Sequence, residues 1–141
     1  MTMKKIWILS CLAYISLLGC RSEQSTKIEV VTLTKTSQSW NGDTLPKYLN
    51  GDPEITILKV TIPPKTKLSL HKHPEINAGV VLNGTLTVVS ESGESTQIKA
   101  GEPIVELVNA WHFGRNEGNV PVELIVFYAG EKGTPITILK E

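Results

Sequence analysis

Cysteine is nearly missing from this sequence: Cys11 and Cys20 are its only two in 141 residues. Both lie at the amino-terminal end, so a chain that begins at Cys20 has no second thiol and no internal disulfide. Histidine is scarce as well, with three residues. No sign of charge dominates, since 14 basic residues face 14 acidic ones. They are spread without runs, which excludes the basic surface of a nucleic-acid-binding protein. Repeats and long low-complexity tracts are absent, as are a nucleophilic triad, a phosphate loop and zinc-ribbon cysteine spacing. No sustained 3.6-residue period follows the first twenty residues, apart from short helical turns expected near Leu45 to Leu49, so a helical bundle is excluded. The length suits one compact domain.

The amino-terminal residues stand apart from that domain. Lys4 and Lys5 precede IWILSCLAYISLL, Ile6 to Leu18, which carries no charge. A positive start and an apolar run too short to span a membrane comfortably are the parts of a signal peptide. The run ends in LLGC, Leu17 to Cys20, which resembles a bacterial lipobox. That resemblance implies lipidation of Cys20, cleavage before it and acylation of the new amino terminus. Several acyl chains hold a protein durably where one does not. Residues 1–19 are therefore expected as a lipoprotein signal peptide, 20–27 as a lipidated tether and 28–141 as the folded domain. The polar stretch Arg21 to Lys27 reaches at most about 25 Å when extended. The expected location is the membrane surface facing the periplasm or cell exterior. Arg21, in place of the aspartate linked to inner-membrane retention in enterobacteria, slightly favours the outer membrane.

The rest of the chain reads as β throughout. ITILKVTI (Ile55 to Ile62), TLTVVSE (Thr85 to Glu91), ELIVFY (Glu123 to Tyr128) and ITIL (Ile136 to Leu139) are strand-like. Pro63-Pro64, Asn83-Gly84, Ser92-Gly93, Ala100-Gly101 and Ala129-Gly130 punctuate them. Short strands at this spacing predict an all-β sandwich or barrel. VLNGTLTV predicts a hairpin, because Asn-Gly suits a type I′ turn.

All three histidines fall into this pattern. LSLHKH, Leu68 to His73, is strand-like, and strand residues two apart share a face. His71 and His73 therefore project together with Lys72 turned away, and two imidazoles can reach one metal ion. His112 follows another strand-like run, PIVELV. Each histidine taken singly also fits an ordinary hydrogen-bonded residue; their arrangement points to a metal site.

At this point the sequence resembles the cupin family. Pro64 to Gly84 is similar to the first cupin motif, with His71, His73, Asn77 and Gly84 at its characteristic positions. Gly101 to Asn116 is similar to the second, with Gly101, His112 and Asn116. The resemblance implies an all-β cupin-type barrel, a double-stranded β-helix or jelly roll, with a metal or ligand site in its mouth. Three departures stand out. Asn77 replaces the usual glutamate, Leu107 and Asn109 replace proline and glycine, and Lys65 lies close to a usual glycine.

Asparagine offers a neutral carbonyl oxygen and an NH₂ group, a poor ligand beside imidazole. Three outcomes are open. The three histidines hold the metal alone, with water or substrate completing it; another acid, Glu75 or Glu106, replaces the missing glutamate; or the barrel binds an organic ligand without metal. Glu75 reads as solvated, while the face of Glu106 is undetermined. Asn77 and Glu106 are thus candidates for a place beside the metal or on a ligand. Gly79 either leaves room for that ligand or marks close packing. Trp40 and Tyr48 border the pocket or, with more weight, pin an amino-terminal arm to the wall. Trp111 and Phe113 are expected to pack around His112.

The expected function is a membrane-anchored cupin holding one divalent metal through His71, His73 and His112. Iron is the first choice, with zinc, manganese and nickel as alternatives. It is either a metal-dependent dioxygenase of a small organic molecule or a non-catalytic module that binds a small ligand or metal at the envelope. The expected partners are that small molecule and the membrane, with a homodimer left open and nucleic acid excluded.

Overall fold

The structure, a computed structural model, describes residues 27–141. The signal peptide, Cys20 and the tether up to residue 26 lie outside the described residues. Chain contacts divide the molecule after Val30, and all the strands belong to the unit Val31–Glu141.

Ten strands form two sheets among the described residues, and no helix is present there. The first sheet contains β1 (Pro53–Ile62), β9 (Val122–Glu131), β4 (Ile76–Asn83) and β7 (Pro103–Val105), in that spatial order. The second runs β10 (Ile138–Leu139), β3 (His71–Lys72), β8 (His112–Asn116), β5 (Thr85–Ser90) and β6 (Ser95–Lys99), with β2 (Thr66–Lys67) also paired to β8. All pairings of these strands are antiparallel. This is the all-β arrangement that the alternating sequence predicts.

Alternation also sets the core. On β9 Val122, Leu124, Val126 and Tyr128 point inward, and on β5 Leu86 and Val88 do so from the opposite sheet. Ile62, Val81, Ile98 and Ile104 complete the same buried cluster. Each such side chain contributes on the order of 1.5–3 kcal/mol by leaving water. β1 and β9 pair without interruption from Pro53↔Glu131 to Ile62↔Val122, giving the first sheet a long rigid ribbon.

The Asn83-Gly84 hairpin is overturned. β4 pairs with β7 and β9, whereas β5 pairs with β6 and β8. Asn83-Gly84 is a corner that carries the chain from one sheet to the other. Gly84 is required there by its φ of 77° and by the Pro121 carbonyl oxygen, which a Cβ would approach to 2.9 Å. The turn signal was genuine, but a local signal does not choose a strand's partner. Gly79 serves close packing: a Cβ there would lie 2.7 Å from the Ile125 carbonyl oxygen on β9. Leu45 to Leu49 form no helical turn.

Two of the motif departures keep the backbone that glycine would give. Lys65 has φ 57° and Asn109 has φ 58°, both in the left-handed region. Asparagine tolerates that conformation well, and lysine less so. The arm is pinned as weighed above: the Trp40 amide donates to the Val105 carbonyl at 2.9 Å, and its ring packs against the core cluster. Tyr48 is exposed.

Candidate metal centre

β3 and β8 lie side by side with His71 opposite His112 in register. His73 continues beyond β3 and bridges Val108. Strand periodicity turns His71 and His73 to one side, and the neighbouring strand adds His112. The three rings form a near-equilateral triangle, with centroids 5.0, 4.7 and 5.1 Å apart.

The hydrogen bonds of the rings fix which nitrogens remain available. Each Nδ1 faces a backbone carbonyl: His71 that of Ser69 at 2.7 Å, His73 that of Ile136 at 2.7 Å, and His112 that of Ala110 at 2.9 Å. A carbonyl only accepts, so Nδ1 carries the proton and Nε2 keeps its lone pair. His112 Nε2 is buried with no partner. The ligand atoms of the three residues lie within 4.8 Å of one another. Nitrogens about 2.1 Å from one tetrahedral ion are about 3.4 Å apart, so a closure of at most about 1.4 Å completes the geometry. Three imidazoles oriented by backbone carbonyls, with His112 Nε2 unpartnered, fit a divalent metal ion.

Burial favours the neutral form of two of these rings, His73 and His112. It pushes His73 down to about 4, aided by the nearby His112 and His71 and opposed by the Ile136 carbonyl. Burial lowers His112 as well. Neutral imidazole is the form that binds metal.

Glu106 stands beside this group. Its side chain is buried, its Oε2 has no hydrogen-bond partner, and that atom lies 3.6 Å from His112 Nε2. The separation is too long for a hydrogen bond. Burial pushes Glu106 up to about 7 while His112 is held neutral, so the pair is not an ion pair under mildly acidic conditions. Tyr128, pushed up to about 12 by burial and then by the charge of Glu106, sets its ring against His73 at 5.4 Å.

The remaining candidates separate. Asn77 is 1% exposed on the inner side of β4, opposite Tyr128 in register. Its Nδ2 donates to the Glu75 carbonyl at 3.3 Å and its Oδ1 is unpartnered. It does not line the cavity that contains the histidines, whereas Glu106 does. Glu75 is buried, contrary to the solvated reading, because its Oε1 accepts from the Glu131 amide at 2.8 Å. That bond ties it to β9. Asn116 is structural: its side chain binds the Ile62 and Val120 carbonyls and the Gly118 amide. Trp111 and Phe113 are half-buried, and each carries a lysine against its ring face, Lys72 at 5.0 Å and Lys67 at 4.0 Å.

A cavity of about 330 Å³ opens between the sheets at the histidines. Tyr128 and Thr137 also line it, and neither was singled out from the sequence. Tyr128 was legible in principle, as the polar end of the inward series Leu124, Val126, Tyr128. Thr137 was not, because its position depends on the return of a distant segment.

Residues 58–128 match the cupin domain model. The chain belongs to the cupin family. Solved structures share this cupin fold. One is an uncharacterized conserved protein with a double-stranded β-helix domain from Klebsiella pneumoniae, with 20% identity, TM-score 0.54, and 67% of this chain and 90% of that chain covered. Another is a DMSP lyase from Ruegeria pomeroyi, with 19% identity, TM-score 0.54, and 61% and 43% covered. A third is an oxalate decarboxylase from Lactobacillus farciminis, with 23% identity, TM-score 0.52, and 60% and 26% covered. This cupin thus spans less than half the length of either enzyme chain. No curated protein matches the sequence.

Proposed function

We propose that this cupin is a metal-dependent oxygenase of a small organic molecule, anchored to the membrane through Cys20 and facing the periplasm or cell exterior. His71, His73 and His112 hold one divalent ion, with iron the first choice. The observation that carries this reading is the set of three imidazoles whose Nδ1 atoms are bound to carbonyls, leaving their Nε2 atoms to converge. When bound, such an ion supplies Lewis-acid activation of an oxygen donor and one-electron chemistry with dioxygen.

The chain's own residues do the rest. His71, His73 and His112 would hold the ion through imidazole nitrogens alone, and such a donor set would leave it a strong Lewis acid. Glu106, which lines the same cavity 3.6 Å from His112 Nε2, would complete the donor set or, once ionised, take a proton from a bound molecule. A second reading, a non-catalytic ligand-binding module, is supported by the largely apolar character of the same cavity.

Elemental analysis and oxygen-uptake measurements on protein purified without a chelating tag separate the two. The oxygenase reading expects about one iron per chain and oxygen consumption with a suitable substrate. His71→Ala, His73→Ala and His112→Ala are each expected to lose most of the bound metal while staying folded, and a double variant to lose little more. Full occupancy in any single variant would remove that residue from the site.

A further inference from the structure

The lining of the cavity says which molecules it suits. Its walls are the inward residues Leu58 and Val60 of β1, Leu124 of β9, Leu86 and Val88 of β5, and Leu68. Its polar lining residues besides the three histidines are Ser69, Glu106, Tyr128 and Thr137. Among the described residues that line it there is no lysine and no arginine. The one acid, Glu106, has an unpartnered oxygen.

Each feature bears on ligand charge. A dicarboxylate or phosphorylated sugar leaves water only at high cost unless cationic side chains receive its second charge, and this lining offers none. A carbohydrate needs a partner for each hydroxyl, and leucine and valine offer none. An apolar body gains from these walls, and a cavity near 150 Å³ already holds benzene. At about 330 Å³ there is space here for a ring with substituents. Gly114 of β8 adds to that space: a Cβ there would press on the Leu86 and Leu68 methyls at 3.2 and 3.4 Å.

We infer that the cavity takes a small molecule with one hydroxyl or enol at its polar end and an uncharged apolar body about the size of a substituted phenol. The oxygen end faces the histidines and Glu106, and the body lies between the leucine and valine walls. This assignment rests on the metal reading for its polar end.

The test uses the full-length chain in detergent, loaded with cobalt(II), whose visible spectrum reports both metal binding and changes in its ligands. The probes are 4-ethylphenol, succinate and glucose 6-phosphate. The expected result is a cobalt spectrum typical of nitrogen ligation that 4-ethylphenol perturbs saturably, at least tenfold more tightly than either anion. Gly114→Val, which fills the apolar part, is expected to keep cobalt and weaken 4-ethylphenol by tenfold or more. If cobalt binds but succinate or glucose 6-phosphate matches 4-ethylphenol, the ligand class is wrong and the metal reading stands. If cobalt does not bind to the parent chain, the metal reading falls and takes this assignment with it. Should Gly114→Val fail to fold, the probe comparison on the parent chain still decides the ligand class.

Discussion

Replacing Glu106 by glutamine removes a buried acid and keeps the shape of the side chain. In the metal-free fold burial pushes this carboxyl from 4.5 to about 7. The folded state therefore holds its proton at pH values where the unfolded chain has released it. Stability from this source is fully present below about pH 4.5 and is lost as pH rises to about 7. At about 1.4 kcal/mol per pH unit, the loss above pH 7 is on the order of 3 kcal/mol. His73 acts in the opposite sense. Its depressed value of about 4 makes stability fall as pH drops from 6.5 toward 4, in both proteins alike. The difference between Glu106→Gln and the parent therefore isolates the acid. It is expected to be near zero at pH 4.5 and to reach about 3 kcal/mol in favour of the variant above pH 7. With a urea slope of about 1.5 kcal/mol/M, that is a midpoint shift of about 2 M. Urea unfolding from pH 4.5 to 8 with a chelator present measures it directly. A difference that stays constant across this range would refute burial of Glu106 as the cause. With metal present the sign is expected to reverse if the carboxylate faces the ion, because the variant then loses a charge that the ion stabilises.

Asn77→Glu tests the exchange at the first motif. If Asn77 faces the ion, the new carboxylate is expected to raise metal affinity about tenfold, or roughly 1.4 kcal/mol, by calorimetric titration at pH 7. An unchanged affinity in a folded variant would leave Glu106 as the acid of the site. Cys20→Ser is expected to abolish fatty-acid labelling and processing by the lipoprotein pathway. A variant that is still cleaved and retained in the membrane like the parent would exclude the lipid anchor.

Much of the fold was legible because strand periodicity is local. Leu124, Val126 and Tyr128 alternate inward as their spacing demands, and His71 and His73 meet for the same reason. What the sequence could not show depends on distant partners. Asn83-Gly84 carries a local turn preference, yet both flanking strands find other neighbours, since pairing is decided by long-range packing. Glu75 looked solvated because nothing nearby in sequence binds it; its partner is the amide of Glu131. Glu106 lies within a short strand-like run whose inward face is defined only when the two sheets close over it. The left-handed backbone at Lys65 was hidden behind a residue that rarely adopts it, whereas Asn109 is of a type that does so readily.

The hold on His73 has a kinetic consequence. Its Nδ1 partner is the carbonyl of Ile136, just before β10, and β10 joins the sheet through two residue pairs with β3. Leu139 of that strand is 62% exposed, while also lining the cavity. A short exposed edge strand detaches far more often than a barrel unfolds. Each detachment releases the orientation of one imidazole and opens one side of the cavity. Fraying of this edge is therefore expected to run on a faster clock than the lifetime of the barrel, and an ion held by His73 would be expected to exchange on that clock.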